Sequence, residues 1–191
     1  YADGSFHPKN SVKRSQIVEM IWRAEGSPTG APPHGFTDVD PAAPYGPALR
    51  WAKAQGIVEA YPDGTFRPKR AASRAQVVMM LWSAEGEPGG SPRNTYTDVA
   101  GKAWYRPGVD WAAAQGLIGA YPGNTFRPDK EITRSSAVSM LYDLHHVPTS
   151  PLNPSERSAL LTYQVTHDWF LEWKTGDLVA LLLATPAFQH R

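Results

Sequence analysis

The chain contains no cysteine. A disulfide framework and thiolate metal sites are therefore excluded. It also lacks a charge excess, with 19 Lys and Arg against 18 Asp and Glu and a formal net charge of +1. A general nucleic-acid binder carries a strong basic surplus, so that class is set aside. No segment approaches the roughly 18 apolar residues of a membrane span. The best run, "LVALLLA" at 178–184, is closely followed by Pro186. Catalytic signatures are missing as well: there is no Ser/His/Asp set, no metalloprotease motif and no phosphate loop. His145 and His146 are adjacent, and adjacent side chains on a helix point about 100° apart, so they make no chelating pair. The sequence reads as non-catalytic, and it implies no metal and no cofactor.

What the chain does contain is a repeat. "YADGSF" at 1–6, "YPDGTF" at 61–66 and "YPGNTF" at 121–126 start 60 residues apart. The same offset relates Asp38 to Asp98, Trp51 to Trp111, Gly56 to Gly116 and Arg74 to Arg134. Repeats at 35–88 and 95–148 are complete, whereas the one at 1–28 enters only at the turn. Repeated units that cannot bury an apolar face alone share a core. Seven Trp and eight Tyr supply rings for such a core and for flat carbohydrate surfaces.

Each unit reads as two helices around a loop. The first helix is expected over 46–55 and 106–115, with Gly56 and Gly116 where a C-terminal glycine cap belongs. Asp63-Gly64 is turn chemistry, because glycine takes positive φ without a Cβ clash. Tyr61, Phe66, Tyr121 and Phe126 are expected to anchor the turns. The second helix is expected to start at Ser73 and Thr133, where Ser73 with Gln76 forms a capping-box pattern. Val77, Val78, Leu81 and Trp82 then fall on one face, as do Ile17, Val18, Ile21 and Trp22. Asp38 and Asp98 read as caps of the first helix or its entry turn. The linkers "SPTGAPPHG" and "EPGGSPRN" are rich in Pro and Gly.

The ordered motif "FTDV…W…A…G…AYPDGTFRP…SRAQVVMML" resembles the S-layer homology domain over about 1–148. The resemblance implies an all-α fold of three helix-loop-helix repeats in a pseudo-threefold prism. It implies an exported, bacterial cell-surface module that anchors non-covalently to a secondary cell-wall polysaccharide with anionic groups such as pyruvate ketals. In that family the ligand lies in grooves between repeats, near the basic residue of a Thr-Arg-Ala-Glu motif. Carried onto this chain, the ligand-binding candidates are Arg14, Arg74 and Arg134. A guanidinium grips a carboxylate through two parallel hydrogen bonds. The bland alternative pairs Arg74 with a carboxylate such as Asp38 or Asp98. Backbone amides at Asp63 and Gly64 are further candidates, as are Trp51 and Trp111, which either stack on sugar or fill core. Departures fall at Gln16, Gln76 and Ser136 for the motif's Glu, at Lys13 and Ser73 for its Thr, and at Gly123-Asn124 in the third turn.

Residues 149–191 do not repeat and are expected to form a C-terminal helical extension. Leu161, Val165, Trp169 and Trp173 make a stripe at i, i+4 spacing. "DWFLEWKTGDLVA" at 168–180 resembles "DWAAAQGLIGA" at 110–120, so one reading has the extension supply the upstream helix that the first repeat lacks. Others have it pack on the third repeat, or dock a further subunit or a membrane surface. A functional alternative to wall anchoring is therefore an assembly subunit that meets protein partners, or its own copies, through the repeats and this extension.

Overall fold

The computed structural model describes residues 7–146. The turn at 1–6 and the extension expected over 149–191 lie outside the described residues. Five helices follow one another: α1 (Arg14–Ala24), α2 (Gly46–Ala54), α3 (Arg74–Ala84), α4 (Arg106–Ala114) and α5 (Arg134–His146). Extended pairing among the described residues is limited to isolated bridges, so the expected all-α class holds.

The helix boundaries have local causes. Ser73 caps α3 and makes the expected box, the Gln76 amide reaching Ser73 Oγ at 3.4 Å and the Ser73 amide reaching Gln76 Oε1 at 3.2 Å. The Ser136 amide donates to Thr133 Oγ1 at 3.2 Å in α5. Gly56 and Gly116 sit at φ +73, and the amides of Ile57 and Leu117 reach back to the carbonyls of Ala52 and Ala112 at 2.8 and 2.9 Å. That left-handed closure is what a glycine after a helix permits.

The three-residue segments just before α1, α3 and α5 pair in a ring. The Val12 amide donates to Ile132 at 2.9 Å, the Ile132 amide to Ala72 at 3.1 Å, and the Ala72 amide to Val12 at 2.9 Å. A second tier runs the opposite way round: the amides of Arg14, Arg74 and Arg134 donate to the carbonyls of Arg70, Lys130 and Asn10, each at 2.9 Å. A third joins Ser15, Ala75 and Ser135 to the carbonyls of Pro68, Pro128 and Pro8. The opening amides of a helix have no partner inside it. Here a neighbouring repeat supplies them. Val12, Ala72 and Ile132 are fully or almost fully buried at the centre of this ring.

Outside the ring the packing departs from the expected unit. α2 packs on α1 and α4 packs on α3, so helices are paired across the Pro/Gly linker and not across the turn. The α3–α4 contact is close at Gly108, where a Cβ would stand 2.8 Å from Met79 Sδ and 3.4 Å from Val78 and Trp82. The linkers are tied down by the preceding helix, the Trp22 and Trp82 indoles donating to the carbonyls of Pro28 and Pro88 at 2.9 and 3.1 Å.

The end of the first linker carries a buried histidine. His34 Nδ1 accepts from the Phe36 amide at 3.0 Å, and its ring stacks on Phe36. The neutral ring therefore holds its proton on Nε2, which is buried without a partner. Sixty residues on, Asn94 accepts from the Tyr96 amide at 3.0 Å and also donates to Asp110. The residue matching Asp110 is Arg50. Burial, with the charge of Arg50, pushes the His34 pKa below its ordinary value, and Asp38 opposes the shift. The unfolded chain thus takes up a proton at a pH where the folded chain does not. Stability is complete above the ordinary pKa of about 6.5 and is lost as pH falls from there through the folded value. Urea unfolding at pH 7.5 and pH 5 is expected to show a lower midpoint at pH 5, with His34→Asn narrowing the gap. An unchanged gap in that variant would place the pH dependence on other groups.

Candidate functional site

The repeated turn is gripped from two sides. Asp38 accepts from the consecutive amides of Phe66 and Arg67 at 2.7 and 2.8 Å. Asp98 does the same for Phe126 and Arg127, both at 2.7 Å. Arg67 and Arg127 lie at φ +60 and +58, a strained region for side chains with a Cβ, and the carboxylate holds them there. From the other side the Arg14 Nε donates to the Phe66 carbonyl at 2.9 Å, and the Arg74 Nε to the Phe126 carbonyl at 2.8 Å. Asp38 and Asp98 are thus not helix caps. They clamp a peptide whose carbonyl belongs to an arginine of the preceding repeat.

Arg14 and Arg74 are buried at 5% and 7% exposure. Among the described residues neither pairs with a carboxylate, which removes the alternative of an Arg74–Asp pair. Aromatic faces stand in. Arg14 lies 4.5 Å over Phe66 and 5.1 Å over Tyr61, and Arg74 lies 4.9 Å over both Phe126 and Tyr121. Arg67 covers the Tyr61 ring at 4.0 Å, while Gln76 donates to the Tyr61 hydroxyl at 2.9 Å. Burial is the largest influence lowering the Arg14 pKa, Tyr61 opposes it, and the charges of Arg70 and Arg67 lower it further. A guanidinium stays protonated regardless, so this corner carries clustered positive charge.

That charge opens into a groove of about 220 Å³ bounded by Arg14, the 57–61 segment, Gln76, Met79 and Trp104. Three repeats contribute to it. Trp104 is 62% exposed and meets Tyr105 edge-on at 5.5 Å. A larger groove of about 370 Å³ lies between the second linker and α4, near Trp82, Lys102 and Arg106. Arg106 there is already engaged, donating to the carbonyls of Val99 and Ala100 at 2.8 and 3.1 Å and facing Asp110 at 3.4 Å.

The candidates from the sequence divide accordingly. Arg14 borders the groove, and Arg74 holds the equivalent place against Tyr121. Arg134 opens α5, and the turn that corresponds to its partner, 1–6, lies outside the described residues. Trp51 and Trp111 are core residues at 9% and 3% exposure, so of the two roles open to these rings the structure shows packing. The Gly64 amide donates to the Tyr61 carbonyl at 2.8 Å, which takes it from any ligand. Asp63 is exposed; its carboxylate accepts from the Thr65 hydroxyl at 2.6 Å, the Thr65 amide at 3.0 Å and Arg67 at 3.0 Å, which hold its pKa at about 2. Trp104 was not a sequence candidate. Its signal is a break in the repeat, since Pro44 occupies the matching position.

The S-layer homology domain model matches residues 35–78 and 95–138. Cell surface glycoprotein 1 of Acetivibrio thermocellus is 30% identical over 119 residues, 61% of this chain and 5% of that protein. The cellulosome-anchoring protein of the same organism is 25% identical over 150 residues, 74% of this chain and 33% of that protein. The middle cell wall protein of Brevibacillus brevis is 25% identical over 129 residues, 65% of this chain and 12% of that protein. The chain thus spans a third or less of the length of each of these relatives.

Removing a carboxylate from the clamp orphans two amides and frees a positive-φ residue. Asp38→Ala is expected to lower unfolding free energy by about 2–4 kcal/mol, since hydrogen bonds to charged groups contribute ~1.5–3 kcal/mol each. Guanidinium chloride unfolding measures it, and a loss below about 0.5 kcal/mol would show that the turn holds itself.

Proposed function

We propose that this chain is a non-catalytic module of the bacterial cell surface that anchors to the cell wall. Its ligand is an anionic secondary cell-wall polysaccharide, pyruvylated sugars being the best-fitting class, bound in the grooves between repeats. The observation that carries this reading is the clustered guanidinium charge of Arg14, Arg67 and Arg70, which lies beside the groove that exposed Trp104 borders. A sugar carboxylate answers the charge, and the flat ring answers a sugar face. The matches to the S-layer homology model and to anchoring and cell-wall proteins support the same role.

Arg14 holds the fold as well as the groove, so its removal is a poor test. Trp104→Ala and Arg70→Ala, by contrast, alter exposed groups. The double variant is expected to keep the wild-type melting temperature. It should bind purified sacculi at least about tenfold more weakly, the equivalent of one lost charged contact. Wild type should not sediment with sacculi stripped of the polymer. Equal binding by the variant would move the ligand to another groove. No wall binding by wild type, together with a larger species on size exclusion, would favour the assembly subunit.

A further inference from the structure

We infer that Glu25, Glu85 and His145 form a site for a divalent transition metal such as Zn²⁺. The three occupy one position of the repeat, 60 residues apart. Glu25 and Glu85 close α1 and α3, and His145 lies in the last turn of α5. One donor atom from each lies within 4.8 Å of the other two. Three separate helices deliver them, so the convergence follows from the threefold arrangement and not from local sequence. Ligands at about 2.0–2.2 Å from a zinc ion stand roughly 3–3.5 Å apart, so a small side-chain adjustment closes the set.

The donor chemistry selects the ion. Calcium and magnesium take oxygen ligands, whereas an imidazole suits zinc and its neighbours. Two carboxylates cancel the charge of the ion. The carbonyl ends of three helices meet here, and their partial negative charge also favours a cation. Arg23, the nearby base in the last turn of α1, pairs with Glu19 at 2.5 Å. All three ligands are exposed, which leaves room for water in the remaining coordination positions. A bound ion would tie the helices at the end opposite the backbone ring.

The test uses the full chain, with calorimetric titration and thermal unfolding against ZnCl₂ and, separately, CaCl₂. One zinc per chain is expected, and zinc at ten times its Kd should raise Tm by roughly 3–6 °C. Glu25→Gln/Glu85→Gln and His145→Ala should each weaken zinc at least tenfold, with metal-free Tm unchanged, and calcium should produce no shift. Unchanged zinc affinity in either variant would mean that the ion sits elsewhere and would overturn the site. An equal response to calcium would reduce it to a diffuse acidic patch. A lowered metal-free Tm would mark the trio as packing contacts.

Discussion

A cycle of three backbone hydrogen bonds, through Val12, Ile132 and Ala72, is the constraint from which the rest of the structure follows. Each residue gives its amide to one neighbour and its carbonyl to the other. The cycle sets where α1, α3 and α5 begin and buries Val12, Ala72 and Ile132 together. It also brings three loops, through the carbonyls of Pro8, Pro68 and Pro128, onto three helix N-termini. Amides that would otherwise need solvent or side-chain caps become bonds between repeats. A contact of few atoms thereby links segments that are 60 and 120 residues apart in sequence.

The second consequence is where the charge collects. Because the loop of one repeat lies on the helix of the one before, its aromatic turn meets a foreign arginine. The Phe66–Arg67 peptide has its amide on Asp38 and its carbonyl on Arg14, so a single peptide bond joins anion to cation across a repeat boundary. The charges do not touch, and each keeps its own geometry. Three guanidinium groups, Arg14, Arg67 and Arg70, then gather at this corner, and Arg67 meets Asp63 at 3.0 Å. The groove is a product of the boundary, and neither repeat contains it alone.

Local features were legible in the sequence. Ser73, Thr133, Gly56 and Gly116 mark helix ends through side-chain and φ preferences that act within a few residues. The burial of Val77, Val78 and Leu81 followed from helical spacing. Partnership was not legible. An apolar stripe says that a helix packs but not on what, so the pairing of α2 with α1 needed coordinates. Asp38 has the composition of a cap, yet it acts 28 residues away on Phe66. Trp51 and Trp104 are the same residue type with opposite fates, one in the core and one in water. Only the mismatch of Trp104 with Pro44 hinted at the difference.

Closure of the backbone cycle also fixes a number. Open repeat arrays lengthen by stacking another unit on an exposed end. Here the segment of the third repeat bonds back to that of the first, and the central amide and carbonyl of each copy are both engaged. Among the described residues, the cycle itself leaves no free central amide or carbonyl on which a fourth copy could pair. Insertion of one more copy would break the cycle without extending it. An architecture of this kind can grow only by founding a second complete ring, so its copy number rises in threes.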